Sequence, residues 1–143
     1  MLTQIVDIVV IFLVGIAAAV DIKKQIIPDS INGLIFALAI LRVIIGDNLA
    51  LNERILGFFS VSLFMIIINL IIKDAFGGGD IKLMAVLGAY YGVRIVVLSA
   101  IYGILLSGIC GIILLITNVK NLKDSFALGP FLVVGIFYVL WIN

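Results

Sequence analysis

Apolar runs separated by short polar breaks set the pattern of the chain. The runs cover residues 2–20, 31–45, 55–72, 83–93, 95–117 and 126–142, and the breaks hold most of the charge. Each run reads as a membrane helix, so the pattern predicts an all-α polytopic membrane protein with about six transmembrane helices in a single domain over residues 1–143. Several runs fall short of the about 20 apolar residues that a perpendicular span needs, the fourth most clearly. Flanking charged side chains must then reach for the interface, or the bilayer must adapt. No basic residue precedes the first run, and it leads into Lys23 and Lys24 rather than a small-residue cleavage site. It is therefore expected to stay in the protein rather than be removed as a signal peptide.

Composition sharpens this picture by exclusion. Hydrophobic residues make up 65% of the chain, against roughly half in an ordinary soluble domain. Nine basic and eight acidic residues give a net charge of +1, which supplies no field for nucleic acid. Partners are to be sought in the lipid bilayer. A lone cysteine, Cys110, gives neither a disulfide framework nor a cysteine zinc site. The histidine count is zero, which rules out His-based triads, Ser-His dyads and HExxH metalloproteases, since each needs an imidazole as base or ligand. Acid/base chemistry falls to carboxylates, lysines or tyrosines, with no cofactor implied.

The basic residues also suggest an orientation. In a six-span arrangement Lys23, Lys24, Lys73, Lys82, Lys120 and Lys123 share one side, and Arg42, Arg54 and Arg94 lie toward the other. The lysine side is expected to be cytoplasmic. This holds only if the short fourth run crosses; if it re-enters, Lys120 and Lys123 change sides.

Among the carboxylates, Asp47 and Glu53 lie in an outer loop beside Asn48 and Asn52, and Asp124 can begin the sixth helix, so solvation or capping accounts for them. Asp7 lies 14 residues before Asp21, about 21 Å along a helix, and belongs near the opposite interface. Asp21 and Asp80 differ from these. Asp21 ends the first run, Asp80 precedes the fourth, and two crossings between them return the chain to the same side. Two carboxylates brought close tend to hold one proton between them and titrate as a unit. Such a pair can activate water and protonate a leaving amine. Spacing alone leaves this reading level with two interfacial carboxylates, each paired with a nearby lysine. Gly77, Gly78 and Gly79 directly precede Asp80. They disfavour a helix there and would let a substrate backbone approach closely, as a β-like binding strand does. A flexible hinge is the alternative.

These residues resemble a known family, the type IV prepilin peptidases, which are membrane aspartic proteases of bacteria and archaea. The segment AAAVDIKKQIIPDSINGL resembles the family's first-aspartate segment, and GGGDIKLMAVLGAYYG its GxGD segment, with Gly77, Gly79 and Asp80 on the named positions. ALGPFLVVG resembles its C-terminal Gly-Pro-Phe segment at Gly129, Pro130 and Phe131. The three occur in order and span nearly the whole chain, although GxGD alone is also found in presenilin-like proteases. The resemblance implies that Asp21 and Asp80 are the catalytic pair of a transmembrane aspartic peptidase. It further implies that the substrate is a prepilin or pilin-like precursor, cut between a short basic leader and a hydrophobic helix at the cytoplasmic face of the prokaryotic cell membrane. Many members add an N-terminal domain with paired CxxC motifs that methylates the product; this sequence resembles the short, peptidase-only branch. Self-association as a homo-oligomer stays open.

Other motif positions carry separate expectations. Pro28 suits the start of the second helix, with Asp29 or Ser30 as its cap; alternatively Asp29, with Asp74, attracts a positive leader as part of the substrate-binding surface. Lys82 is expected to reach for the interface rather than tune Asp80. Gly129 and Pro130 either loosen the sixth helix or mark its start. Tyr90 and Tyr91 are assigned to an outer aromatic belt, and Gly103, Ser107 and Gly111 to a helix-packing stripe. Two rivals remain. In a small ion- or proton-coupled transporter subunit, the acids would bind ions, and replacing Asp21 would alter coupling. A non-catalytic scaffold would tolerate carboxamides at both aspartates.

Overall fold

The computed structural model describes residues 2–73, 75–117 and 127–142. Among the described residues the chain forms six helices and no strand: α1 Leu2–Lys24, α2 Asp29–Ile45, α3 Leu51–Ile71, α4 Gly78–Tyr91, α5 Val93–Ile116 and α6 Gly129–Ile142. With 23, 21 and 24 residues, α1, α3 and α5 are long and apolar enough to cross a membrane. The 17 residues of α2 and the 14 each of α4 and α6 are fewer. This is an all-α membrane protein. Asp74, Lys120, Lys123 and Asp124 lie outside the described residues.

The short α4 forms the centre. Leu83 to Gly88 and Tyr90 are all buried, because α2, α3 and α5 pack against the helix, while α1 meets α2 and α6. The outer helices turn Ile8, Phe12, Leu70, Ile116 and Trp141 outward, as suits a lipid solvent. Lipid tails are as apolar as leucine, so the helices associate through close fit and polar contacts. Gly57 of α3 and Gly88 of α4 supply the closest fit: a Cβ added at either would run into the other's backbone carbonyl. Between α5 and α6, a Cβ on Gly103 would come 2.8 Å from Leu132 Cα. The expected stripe on α5 therefore packs at Gly103 and Ser107, both buried, but not at Gly111, which would meet nothing within 4 Å.

Helix limits differ from the apolar runs where function is at stake. α1 continues past Val20 to Lys24 and carries Asp21 inside its last turn. α4 starts at Gly78, before Asp80 and five residues before the apolar run. Gly92, at φ 85°, separates α4 from α5. Pro28 takes the N-cap position of α2 in extended conformation, and no side chain caps that end. The expected cap by Asp29 or Ser30 is absent because Asp29 is engaged elsewhere.

A polar clasp closes the end of the bundle away from Asp80. Asp7 of α1 accepts from Arg42 of α2 and, at 2.6 Å, from the Tyr90 hydroxyl of α4. The Arg42 guanidinium stacks 4.8 Å from the centre of the Tyr90 ring. Asp47, in the α2–α3 loop, pairs with Arg42 at 2.8 Å and with Arg54. Buried in α3, Arg54 also donates to the carbonyls of Ala89 and Tyr90 at 3.0 and 3.1 Å, which lie in the last turn of α4 where carbonyls lack helical partners. Two expectations are corrected here. Tyr90 is fully buried instead of joining an interfacial belt, since its hydroxyl has an internal carboxylate. Asp47 is neither solvated nor a cap, because two arginines claim it.

Candidate active site

Three helix ends converge at the opposite pole. The last turn of α1 carries Asp21, the first turn of α4 carries Asp80, and α6 starts at Gly129. A helix leaves its first N–H groups free, and the Gly129 N–H donates to Asp21 Oδ2 at 3.1 Å. A Cβ on Gly129 would lie 2.5 Å from Asp21 Oδ2 and 3.2 Å from Asp80 Oδ1. Both carboxylates thus face one point, which only a residue without a side chain leaves clear. The two side chains that the sequence singled out across 59 positions are brought together. Both residues are buried, yet Asp80 Oδ1 has no hydrogen-bond partner among the described residues. Asp80 Oδ2 lies over Gly77, where an added Cβ would sit 3.1 Å away.

Beside the pair opens a cavity of about 240 Å³ lined by Asp21, Gln25, Ile26, Ile27, Gly77, Gly78, Gly79 and Asp80. Since a water takes up about 30 Å³ of liquid, the space admits several waters or a short length of extended chain. Among the described residues no cation lines it. Local sequence builds each wall. Gln25, at φ 52°, turns the chain out of α1 and brings Ile26 and Ile27 back across α4. On the other side, Asn69 of α3 donates to the Phe76 carbonyl at 2.9 Å and accepts from its N–H at 2.8 Å. That paired contact fixes the loop immediately before the glycines, a role the sequence reading missed.

The three glycines do not share one role. Gly77 takes the N-cap position of α4 in extended conformation, and Gly78 has open space, with nothing within 4 Å of an added Cβ. At Gly79 a Cβ would meet Ile27 Cβ at 3.0 Å and Ile27 N at 3.2 Å. The expectation that Gly79 keeps the way open for a foreign backbone is thereby corrected: the chain's own 25–28 linker occupies that side. Gly78 and Gly79 also belong to the helix they were expected to disfavour. Asp29 is not part of this cavity. It stands exposed and receives both of its short contacts from Lys82 Nζ, at 2.7 and 2.9 Å, fastening the start of α2 to the second turn of α4. Lys82 is accordingly bound to Asp29 rather than extended alone to the interface.

The Gly129 N–H is the functional group that sequence reasoning overlooked. A glycine directly before a proline at a helix start was the available signal, because the proline contributes no N–H and the glycine's is left free.

Comparison with known proteins takes in the segments around Asp21 and Asp80, while the Gly129 segment lies beyond the family profile's match. The profile of the type IV leader peptidase family matches residues 8–116, which holds both aspartates. A prepilin leader peptidase/N-methyltransferase of Bacillus subtilis is 30% identical over 130 residues, covering 90% of this chain and 52% of the relative. The protein of that name from Vibrio cholerae is 32% identical over 82 residues, covering 54% of this chain and 32% of the relative. For the one from Pseudomonas putida the figures are 28% over 130 residues, 85% and 44%. The chain spans about half the length, or less, of these curated relatives. No solved structure matches. With the family profile covering most of the sequence, the chain belongs to the type IV leader peptidase family.

Proposed function

We propose that this chain is one transmembrane aspartic endopeptidase domain that removes the leader from prepilin or pilin-like precursors. The observation that carries the reading is the convergence of Asp21 and Asp80 on the space in front of Gly129. A water held there lies between two carboxyl groups sharing one proton. The ionised carboxylate takes a proton from the water as its oxygen attacks the scissile carbonyl carbon, and the protonated one donates to the carbonyl oxygen. Collapse of the tetrahedral intermediate breaks the C–N bond: the leaving amine takes the proton just acquired from water, and one hydroxyl of the intermediate returns its proton to the carboxylate that donated one, which restores the shared-proton pair. The unpartnered Asp80 Oδ1 has an acceptor position to offer this water, while the Gly129 N–H holds Asp21 in place.

Charge supports the side of action. The polar breaks at the Asp21 and Asp80 end contain Lys23, Lys24 and Lys73, with Lys82 in the first turns of α4, whereas Arg42 and Arg54 lie at the clasp and Arg94 begins α5. Cleavage at the cytoplasmic face of a prokaryotic cell membrane follows from that bias. In this reading the peptidase requires no metal or organic cofactor.

Co-expression with the pilin-like precursors encoded beside its gene tests the proposal. Parent protein should give a mobility shift and a new N-terminus in the precursor. Asp21→Asn and Asp80→Asn should each reach normal abundance in the membrane and give neither. Substantial cleavage by either purified variant overturns the two-aspartate mechanism.

A further inference from the structure

A second pocket lies on the lipid-facing side of α4. Its volume is about 320 Å³, and it is lined by Asp29, Asn32, Gly33 and Phe36 of α2, Phe58 of α3, and Lys82, Ala85 and Val86 of α4. The spacing explains the wall: 29, 32, 33 and 36 share one face of a helix, as do 82, 85 and 86. The Phe36 and Phe58 rings, with centroids 6.1 Å apart, close its far end, and the Asp29–Lys82 pair rims the near end. From Asp80 to Ala85 is about 8 Å along the helix axis, so the pocket begins beside the catalytic level and descends into the membrane zone.

Asn32 makes this pocket more than a gap between helices. The residue is 4% exposed, yet among the described residues neither its amide nitrogen nor its amide oxygen has a hydrogen-bond partner. An unpaired amide in an apolar setting costs stability. It offers one donor and one acceptor together, and its oxygen needs an N–H or O–H. The acyl chains and ester oxygens of a phospholipid supply no such hydrogen. The first turn of a helix does, since its leading N–H groups have no partner within the helix, and inside a bilayer no water is there to replace one. Asn is among the side chains best suited to accept those hydrogens.

We infer that the Asn32 pocket receives the start of the substrate's hydrophobic helix, with Asn32 capping that helix from outside. This rests on the peptidase reading, and names the part of the substrate recognised there. The order of parts fits. Lys82, Ala85 and Val86 lie on the face of α4 opposite Asp80, so a precursor with its extended scissile segment in the catalytic cavity crosses the start of α4 over the open side of Gly78, and its helix begins a few residues later, at the depth of Asn32. The oxygen of Asn32 accepts from a first-turn N–H, its nitrogen donates to a carbonyl of the preceding extended residue, and the apolar faces of Phe36, Phe58 and Val86 receive the first hydrophobic side chains.

The test compares two substrates of the purified enzyme: a full precursor, and a soluble peptide that spans the scissile bond but stops before the helix. Asn32→Leu should raise KM for the precursor about tenfold, the scale of one or two net hydrogen bonds, and leave kcat within about twofold, the signature of lost uniform binding. Cleavage of the short peptide should not change, and thermal stability should equal or exceed that of the parent. In a Cys110→Ser, Asp80→Asn background, Gly33→Cys should also form a disulfide with a cysteine in the first turn of the precursor's helix. An unchanged KM, or an equal effect on the short peptide, overturns the inference. So does a less stable Asn32→Leu, which would reveal an internal partner, or cross-linking from Leu105→Cys but not from position 33. A KM effect confined to phosphatidylcholine vesicles and absent in lipid-free detergent makes the occupant a lipid, and also overturns it. If the parent cuts neither substrate, the peptidase reading falls and takes this inference with it; cleavage without an Asn32 effect removes the inference alone.

Discussion

Gly129 donates its backbone N–H to Asp21 Oδ2 at 3.1 Å across 108 residues of sequence. Position and chemistry meet in that one bond. A carboxylate at the end of α1 is held by the free donor at the start of α6, and the missing side chain leaves room for Asp80 to face it.

Gly129→Ala should therefore disable the site while sparing the fold. Its Cβ would lie 2.5 Å from Asp21 Oδ2 and 3.2 Å from Asp80 Oδ1, and the cheapest relief is rotation of the two carboxyl groups away from their shared point. Misplacement by about 1 Å can cost roughly a hundredfold in rate. The expected result is a fall of that order in kcat for precursor cleavage, with membrane abundance and melting temperature near those of the parent. Parent-like kcat would show that the carboxyl groups do not act from the positions seen here.

What the sequence disclosed follows from the range of each signal. Hydropathy is local, and six helices could be read from it, although Asp21 and Gly78 fell outside apolar runs and their helices were drawn too short. Parity of crossings placed Asp21 and Asp80 on one side without alignment or distance. The Asp47 clasp was invisible, because an acid beside two asparagines in a polar break has the composition of a solvated loop. Only folding brings Asp7, Arg42, Arg54 and Tyr90 around it from four helices. Gly57 and Gly88 were missed for a similar reason: a lone glycine in an apolar run looks the same whether it faces lipid or another backbone.

The glycines before Asp80 give a graded prediction. Gly79→Val would drive a branched side chain into Ile27, already 3.0 Å from an added Cβ, and push the 25–28 linker off α4. Because that linker lines the cavity beside Asp21 and Asp80, cleavage should fall at least tenfold, with a loss of thermal stability of about 1–3 kcal/mol for overpacking. Gly78→Ala enters open space and should retain most activity, with unaltered or slightly raised stability from better helix propensity. Equal activity of Gly79→Val and the parent would show that the linker is free to move without harm to the site.

Orientation can be read chemically. In a Cys110→Ser background, single cysteines replacing Lys24 and Asn121 should react with a membrane-impermeant maleimide from the cytoplasmic side, and one replacing Arg94 from outside. Arg94 is exposed in the first turn of α5, so its replacement should be reachable. Labelling of positions 94 and 121 from one side would mean that α5 does not carry the chain across the bilayer, and would reverse the argument from lysines for the C-terminal third.

The clasp predicts a pH-dependent contribution to stability from Asp47. Burial works against its charge, but the Arg54 bond and the Arg54 and Arg42 charges outweigh it and hold the carboxyl below its ordinary value of 3.8. A group whose value is lowered by folding lends its full stabilisation above the ordinary value and loses it as pH falls through the lowered one. Asp47→Asn keeps the shape and removes the charge, so at neutral pH it should destabilise the detergent-solubilised protein by about 2 kcal/mol, the scale of a hydrogen bond to a charged group. Below pH 3.8 the parent loses the same charge, and the difference between the two proteins should shrink toward zero. Thermal unfolding of both across that range checks it. Arg54 is also the donor to the last turn of α4, whose first turn carries Asp80, so the variant should show a lowered kcat at neutral pH as the short helix loosens at its far end. A stability difference that persists unchanged in acid would mean that Asp47 contributes through packing rather than charge.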